Sequence, residues 1–347
     1  MRSVPDLDRV CGALLGQCLG DALGFPVEGH PPETCAAYVS NLLRKGHAGS
    51  VGRPPFPFGQ YTDDSQLARE LLCSLVEGRG FDPLDYGARI AALFSEGRVV
   101  GRGRATEEAA ARLERGWPWW DAGAKAPNAG NGGAMRAAPA GIWHWDDLRQ
   151  AASLGHVQAA LTHHDPRACA GAAAIAVGTA LSLTGDRSVP LDGTAFCTAI
   201  AARVRPIHAG FADSIADLGT WAEVTDSADA LVRIEAAAAL NGGAPDGWRG
   251  ISPFVVPSVL YSLYAFLRAP DSAWDAICLA ISVGGDVDTT AAMTGALVGA
   301  RTGLSRLPSQ LTVSLNDQGT WTQTQLIDLA RQAHAMLVER ETRGGAR

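Results

Sequence analysis

The stretch that decides the interpretation of this sequence is Gly284-Gly285-Asp286-Val287-Asp288-Thr289-Thr290. Two carboxylates follow a glycine pair, and the run of small residues from Ala291 to Ala300 predicts that a helix comes next. Glycines permit the sharp turn before such a helix, and Asp and Thr in a first turn cap it and face the positive end of its dipole. The same carboxylates are hard oxygen ligands for Mg²⁺, Mn²⁺ or Ca²⁺. The stretch alone therefore leaves two interpretations open, a capped buried helix and a metal site.

Helical periodicity continues through most of the chain, whereas strand signals are scarce. Apolar residues recur at helical spacing from Asp6 to Gly24. Similar patterns predict helices over residues 67–76, 83–94, 106–115, 146–161, 166–183, 193–204, 228–240, 253–267, 273–283 and 324–338. The sequence shows no internal repeat and no linker long enough to separate domains. We therefore predict an all-α fold, a compact orthogonal bundle of about a dozen helices, with one domain over residues 1–340 and a polar tail over 341–347.

Composition narrows the possible partners of this 347-residue chain. A formal net charge of −7 without a basic patch argues against nucleic acid as a partner. The seven cysteines are scattered without C-x-x-C spacing, which is typical of reduced core residues in a cytoplasmic protein. No apolar core precedes a cleavage site near the N-terminus, so we expect no signal peptide. The longest uncharged run, Ala168 to Gly185, is mostly Ala and Gly, which favours a buried helix over a membrane span. We expect a cytoplasmic monomer with no membrane partner.

A second acidic cluster, Thr62-Asp63-Asp64-Ser65, opens another predicted helix more than 200 residues before the first one. Adjacent Asp residues repel each other unless water or a cation neutralises them. The four carboxylates and their Thr neighbours could together hold one or two Mg²⁺ or Mn²⁺ ions, or they could be two unrelated caps. Glu28 follows a Pro on an irregular turn and is a surface acid, a further ligand or a base acting through water. Asp21, near a helix C-terminus where the dipole disfavours its charge, suggests a specific buried role.

Two further motifs between these clusters suggest ligand binding. His163-His164-Asp165 lacks the spacing of a zinc site, so the alternatives are an Asp cap beside a core His, or a His that donates to a substrate hydroxyl or phosphate. Gly130-Asn131-Gly132-Gly133 is a weak phosphate-loop pattern without the P-loop Lys-Ser/Thr. Arg136 could then pair with a phosphate or with a core acid. Trp117, Trp119 and Trp120 could stack on an adenine or fill a packed loop.

Taken together in chain order, these elements resemble the ADP-ribosylglycohydrolase family. The five matching elements are Gly20-Asp21-Ala22-Leu23-Gly24, Thr62-Asp63-Asp64-Ser65, Gly130-Asn131-Gly132-Gly133-Ala134-Met135-Arg136, Thr162-His163-His164-Asp165-Pro166 and Gly284-Gly285-Asp286-Val287-Asp288-Thr289. The stretch Phe25-Pro26-Val27-Glu28 is most similar to the bacterial branch that includes ADP-ribosyl-dinitrogen reductase hydrolase. Ser65 and Val287 each stand where the family more commonly has Thr, and neither change removes a carboxylate.

The resemblance implies a compact all-α fold with a centre of two divalent cations, Mg²⁺ or Mn²⁺. Carried over by motif, the metal ligands are Thr62, Asp63, Asp64, Asp286, Asp288 and Thr289, with Glu28 nearby. The residues implied to line the ADP-ribose cleft are Gly130, Asn131, Gly132 and Met135, and His163 is implied to contact substrate. Asp64 or Glu28 is the expected catalytic base.

The activity implied is hydrolysis of the bond between ADP-ribose and an acceptor. The favoured substrate is a protein that carries ADP-ribose on arginine, and ADP-ribose is then the product. One alternative is O-linked ADP-ribose, such as serine-linked or O-acetyl-ADP-ribose, or a modified small molecule or nucleic acid. Another is a catalytically silent protein that binds ADP-ribose. Residues 44–61 and 117–130 are irregular stretches that we expect to select the acceptor.

Overall fold

The computed structural model describes residues 3–244 and 247–344, and most of these residues are helical. The α-helices within these ranges are α1 (Leu7–Gly24), α2 (Pro32–Tyr38), α3 (Asp63–Glu77), α4 (Pro83–Ser95), α5 (Arg104–Glu114), α6 (Trp119–Ala122), α7 (Ala138–Trp143), α8 (Leu148–Ala160), α9 (Pro166–Thr184), α10 (Gly193–Val204), α11 (Ala209–Trp221), α12 (Ser227–Leu240), α13 (Val255–Arg268), α14 (Ala273–Ser282), α15 (Val287–Thr302), α16 (Ser309–Thr312) and α17 (Gln323–Gly344). The predicted all-α fold is confirmed. The described residues form seventeen helices rather than about a dozen, partly because helices as short as α6 and α16 carry no readable periodicity.

One helix and one helix boundary differ from the prediction. The sequence analysis did not predict α11, although Phe211, Ile215 and Leu218 recur at helical spacing and are buried. Helix α17 continues to Gly344, past the predicted end at residue 338. The last three residues lie outside the described ranges, and the division into a domain over 1–340 and a tail stays a prediction.

The described β-structure is one short parallel pair, β1 (Ala124–Lys125) and β2 (His163–His164). Ala124 lies opposite His163, and the Ala124 amide donates to the Thr162 carbonyl at 2.9 Å. This pair therefore ties the irregular stretch after α6 to the dipeptide that precedes α9.

Helices α1 and α15 pack backbone against backbone at the centre of the molecule. A Cβ added to Gly16 would lie 2.3 Å from the Gly295 carbonyl oxygen, and one added to Gly24 would lie 2.5 Å from the Asp288 Cα. The contact is made by a stripe of glycines one turn apart on α1, at positions 12, 16, 20 and 24. Every residue of α15 is buried. This close approach places the end of α1 directly beside the first turn of α15.

Within the described ranges, two helical segments are long and apolar enough to cross a membrane, Leu7–Val27 and Pro166–Thr184. However, 94% and 83% of their apolar windows are buried inside the fold, so both are packed as core helices. The seven cysteines are also buried and unpaired with one another, as expected for reduced core residues.

Candidate metal centre and ligand cleft

The turn before α15 is held in place by backbone contacts that leave no room for side chains. Gly284 and Gly285 have φ angles of 76° and 84°, a left-handed conformation that favours glycine. A Cβ on Gly285 would lie 2.0 Å from the Ile251 carbonyl oxygen. The Gly285 amide donates to the His30 carbonyl at 2.8 Å, and the Asp286 amide donates to the Ile251 carbonyl at 2.7 Å. The glycine pair therefore lets the backbone pass between the loops that contain His30 and Ile251. This position places Asp286 and Asp288 at the start of α15.

The side chain of Asp286 does not cap the helix it precedes. It makes no capping bond to α15 and instead accepts a hydrogen bond of 2.6 Å from the Asn131 amide group. Asn131 also donates to the Ser258 hydroxyl at 3.0 Å. The Asp286 side chain is therefore not a helix cap. It faces the Gly130–Gly133 loop instead.

The first turn of α3 is anchored by a carboxylate from α1. Asp21 accepts hydrogen bonds from the Thr62 amide at 2.9 Å and from the Ser65 amide at 3.1 Å. Backbone donors at a helix start normally need such an acceptor, and here a different helix supplies it. The buried role expected for Asp21 is thus to orient the turn that carries Asp63 and Asp64.

The two acidic clusters converge on one cavity of about 670 Å³. Its carboxylate wall is formed by Glu28, Asp63, Asp64, Asp286 and Asp288, with Thr289 beside them. Single oxygens of Glu28, Asp286 and Asp288 all lie within 4.8 Å of one another, so the three could hold a metal ion. Thr62 is buried and does not line the cavity, and its hydroxyl donates to Asp64 Oδ2 at 3.2 Å.

The electrostatics of this wall favour a bound cation. Burial raises the pKa values of Asp63, Asp64 and Asp288 well above 3.8, and neighbouring carboxylates raise them further. Burial also raises the pKa of Asp286 to about 6 and that of Asp21 to about 7. Among the described residues, no Lys or Arg forms an ion pair with any of these five Asp side chains.

One oxygen of this wall also lacks a partner. Asp64 Oδ1 is buried without a hydrogen bond to the described residues. A buried carboxylate oxygen without a donor costs free energy, and a divalent cation is the partner that this donor set suits.

Glu28 differs from the other four carboxylates because it is only partly buried and has a cation partner. Its Oε2 accepts from Arg53 Nη1 at 2.5 Å, with the two side chains 33% and 43% exposed. The Arg53 guanidinium also lies 4.8 Å from the centroid of the Phe25 ring. Arg53 belongs to the irregular stretch at residues 44–61, which therefore contacts the cavity through this ion pair.

The opposite wall of the cavity is formed by the glycine loop and His163. Gly130, Asn131, Gly132 and Met135 all line it, as does His163. A Cβ on Gly132 would lie 2.5 Å from His163 Cε1, so the loop can approach the imidazole only because it lacks side chains there. Burial lowers the pKa of His163 to about 3, which keeps the ring neutral.

The residues around His163 support the first alternative given for the tandem histidines, an Asp cap beside a core His, and the second, donation to a substrate, stays a prediction. His163 Nδ1 is hydrogen-bonded to the Thr162 hydroxyl at 2.8 Å. His164 is exposed and bonds instead to the Trp120 carbonyl, whereas Asp165 caps α9 through the Arg167 amide. The two rings therefore diverge, and His163 both bonds to a core hydroxyl and faces the cavity.

Arg136 fits neither of the two alternatives predicted for it, and the three Trp residues fit the packed loop better than adenine stacking. Arg136 pairs with neither a phosphate nor a core acid, because it is fully buried and donates to Gln158 and Thr162. Trp117, Trp119 and Trp120 do not line the cavity, and the last two pack against each other with ring centroids 5.6 Å apart.

The aromatic residues that do line the cavity are Trp248 and Phe254, which the sequence analysis missed. Arg102, Arg104 and Asn128 line it as well. The available signal was an aromatic residue within a glycine-rich stretch just before α13, which is typical of a ligand-facing loop.

Comparison with known proteins agrees with this geometry. The sequence profile described as ADP-ribosylglycohydrolase matches residues 2–344. The chain belongs to the ADP-ribosylglycohydrolase family. The five sequence elements that resemble this family all contribute to the cavity or to the turns that position it. The profile match and the position of the five elements around one cavity therefore both support the family assignment.

Relatives within the ADP-ribosylglycohydrolase family are distant but cover most of the chain. Human ADP-ribosylhydrolase ARH3 is 27% identical over 341 residues, which cover 87% of each protein. ADP-ribosylarginine hydrolase Tri1 of Pseudomonas putida is 27% identical over 312 residues, covering 88% of this chain and 73% of Tri1. A solved structure described as an ADP-ribosylglycohydrolase-related protein complex matches with a TM-score of 0.71 and 28% identity, covering 95% of this chain and 98% of that one.

Proposed function

We propose that this protein hydrolyses the glycosidic bond between ADP-ribose and an acceptor, with arginine on a protein as the favoured acceptor. The observation that carries the proposal is the convergence of five carboxylates from three separate segments on one cavity, opposite a glycine loop and a neutral histidine. The name of the relative Tri1, an ADP-ribosylarginine hydrolase, supports arginine as the acceptor. We further propose that the reaction takes place in the cytoplasm.

The residues proposed to hold two Mg²⁺ or Mn²⁺ ions are Thr62, Asp63, Asp64, Asp286, Asp288 and Thr289. Bound there, the ions would supply positive charge that orients the ribose hydroxyls and a water molecule. The unpartnered Asp64 Oδ1 and the clustered oxygens of Asp286 and Asp288 support this assignment. The Thr62 hydroxyl donates its hydrogen to Asp64 and keeps lone-pair electrons on its oxygen, so this bond does not prevent contact with an ion.

The chain's own groups account for the proton movements of the proposed reaction. Water attacks C1 of the ribose as the bond from C1 to the acceptor nitrogen breaks through an oxocarbenium-like state. A carboxylate accepts the proton from the attacking water and passes it to the leaving guanidine nitrogen, so the reaction consumes one water molecule and no further proton. Asp64 and Glu28 are the two proposed bases. Asp64 Oδ1 has free lone pairs, whereas Glu28 Oε2 is held by Arg53.

The remaining walls of the cavity suit the rest of an ADP-ribose molecule. Backbone N–H groups of a glycine loop can approach phosphate oxygens closely, and the Gly130–Gly133 loop provides such a surface. Trp248 and Phe254 present aromatic rings on which a flat adenine or guanidinium group can stack. The proposal assigns the metal end of the cavity to the ribose that carries the acceptor.

The test is release of ADP-ribose from a protein modified on arginine. The purified protein is incubated with Mg²⁺ or Mn²⁺, with and without a chelator, beside Asp63→Asn and Asp286→Asn. We expect chelation and each variant to lower the rate by at least about 100-fold, because both carboxylates belong to one metal centre. Asp226→Asn is the matched control, because it removes a carboxylate from an exposed helix cap outside the cavity and retains a capping side chain.

Two other results would redirect the proposal. Release from serine-linked or O-acetyl-ADP-ribose, without release from arginine, would replace the favoured acceptor with the O-linked alternative. Tight binding of ADP-ribose without turnover on any linkage would instead identify a silent binding protein.

A further inference from the structure

Arg136 is a buried cation that forms no ion pair or hydrogen bond with a carboxylate of the described residues. Burial lowers its pKa, and the charge of the buried Asp63 lies near enough to oppose that shift in part. Its side chain is 0% exposed, and its hydrogen bonds go to neutral acceptors in the described part of the chain. Nε donates to Gln158 Oε1 at 2.9 Å, and Nη2 donates to the Gln158 carbonyl at 3.0 Å and to Thr162 Oγ1 at 2.7 Å. Burying a guanidinium without a carboxylate is costly, so its contact with Thr162 calls for a functional explanation.

The hydroxyl of Thr162 links this guanidinium to His163. Thr162 Oγ1 lies 2.7 Å from Arg136 Nη2 and 2.8 Å from His163 Nδ1. A guanidinium can only donate, so the hydroxyl must accept from Arg136. Its single hydrogen is then directed at His163 Nδ1, the other side-chain atom within hydrogen-bond distance. If Nδ1 carried the proton instead, the buried Thr hydrogen would lack an acceptor, at a cost of about 1–3 kcal/mol.

We infer that Arg136 and Thr162 are positioning residues that hold His163 in the tautomer with its proton on Nε2, so that the ring donates into the cleft. The inference rests on the proposed function, because it assigns the accepting oxygen to a phosphate or hydroxyl group of bound ADP-ribose. Nε2 faces the gap between Gly130 and Gly132, since a Cβ added to either glycine would lie 3.1 Å from it. It makes no hydrogen bond to residues 3–244 or 247–344.

Because the His163 ring is neutral, its tautomer determines whether Nε2 can donate a hydrogen bond to a ligand. Burial, with the Arg136 charge as a second cause, lowers the pKa of His163 to about 3, so the ring carries one proton at neutral pH. With that proton on Nε2, the ring gives a ligand oxygen a donor. With it on Nδ1, the ring presents a lone pair to that oxygen, which loses the bond and adds repulsion.

The test compares Thr162→Val, which removes the hydroxyl at nearly constant volume, with Thr162→Ser, which keeps it. Imidazole ¹⁵N NMR of the ligand-free protein reports which nitrogen of His163 is protonated. Titration calorimetry with ADP-ribose reports the affinity. We expect Nε2 protonation in the wild type and in Thr162→Ser. We expect an ADP-ribose affinity at least about 10-fold weaker in Thr162→Val and within about 2-fold of wild type in Thr162→Ser.

Each result decides one part of the inference. A proton on Nδ1 in the wild type would overturn the tautomer assignment, whatever the activity. Equal ADP-ribose affinity for the wild type and a folded Thr162→Val variant would overturn the positioning role. Failure of the wild type to bind ADP-ribose would overturn the proposed function, and the NMR spectrum would still decide the tautomer. Thermal unfolding of each variant separates a local change from loss of the fold.

Discussion

The carboxylates of the cavity differ most in their immediate partners. Asp63, Asp64, Asp286 and Asp288 lie among other acids, whereas Glu28 is paired with Arg53 and is partly exposed. Asp21 does not line the cavity, yet it holds the helix turn that carries two of the others. At the scale of single residues, two neighbours are therefore expected to affect metal binding. Arg53 is a cation that pairs with Glu28, and Asp21 is an anchor for the turn that carries Asp63 and Asp64.

Arg53→Ala tests the competing cation. An oxygen of Glu28 lies within 4.8 Å of oxygens of Asp286 and Asp288, so an ion held by these three acids would compete with Arg53 for Glu28. Removing Arg53 is therefore expected to tighten Mn²⁺ binding. A partly exposed ion pair is worth up to about 1 kcal/mol, which corresponds to a gain of about 5-fold at most. Titration calorimetry with Mn²⁺ measures the change. Arg44→Ala removes an Arg from a similarly exposed pair with Asp275 and should leave the affinity unchanged. Weaker binding in Arg53→Ala would mean that Arg53 orients Glu28 for the ion instead.

Asp21→Asn tests the remote anchor. Asn offers one acceptor oxygen where Asp21 offers two, and its amide hydrogens would face the amides of Thr62 and Ser65. We expect Mn²⁺ affinity to fall by about 10- to 100-fold, in line with loss of an outer partner of a metal ligand. Asp147→Asn is the control, since Asp147 also accepts two backbone amides but at an exposed helix start. An unchanged Mn²⁺ affinity in Asp21→Asn would limit Asp21 to a role in folding.

The motif residues of the site were predictable from sequence, whereas their supporting residues were not. Asp63, Asp64, Asp286 and Asp288 belong to short patterns that suit either helix caps or a metal site, and the family resemblance favoured the metal site. Arg53 lies 25 residues from Glu28 in a stretch without periodicity, so no local rule pairs them. Arg136 is an example of the opposite error, because a Gly-rich motif suggested a phosphate contact that its complete burial prevents.

At the scale of helices, the glycine contact between α1 and α15 sets the geometry of the site. The Ala- and Gly-rich faces indicated close helix packing, but they could not identify which helices pair. The pairing follows from four glycines on α1 that face backbone atoms of α15 or of Gly303, which follows it. Because Asp21 and Glu28 flank the C-terminal end of α1 and Asp288 lies in the first turn of α15, this contact fixes their mutual distances.

Gly16→Ala tests that contact. The added Cβ would lie 2.3 Å from the Gly295 carbonyl oxygen, so α1 and α15 must move apart. We expect a loss of about 1–3 kcal/mol in the free energy of unfolding, as for other overpacked cores, and weaker Mn²⁺ binding. Chemical denaturation measures the stability. Gly80→Ala adds the same methyl group where nothing lies within 4 Å and should be neutral or slightly stabilising. Equal stability of the two variants would show that the helix pair tolerates separation.

For the whole molecule, the sequence indicated the helices and the types of ligand but not how distant segments meet. Periodicity is local, so it predicted most long helices to within a few residues. The convergence of Asp64 with Asp286 depends on α1 packing against both α3 and α15, a tertiary arrangement that no single segment encodes. The family resemblance supplied that information, because it implied that both acidic clusters serve one centre. Their convergence concentrates four buried Asp carboxylates that form no ion pair with a Lys or Arg of the described residues.

The burial of these carboxylates predicts how the stability of the metal-free protein depends on pH. The pKa values of Asp286 and Asp21 are raised from 3.8 to about 6 and about 7, so the folded state retains protons that the unfolded state releases. Their contribution to stability is therefore complete below pH 4 and is lost as pH rises through 6 and 7. With chelator present, we expect the Tm to fall by about 5 °C between pH 5 and pH 8, as followed by circular dichroism. Saturating Mn²⁺ should abolish the fall, and Asp286→Asn should reduce it. A metal-free Tm that stays constant or rises over this range would contradict the prediction, because the carboxylates would then be neutralised by another group.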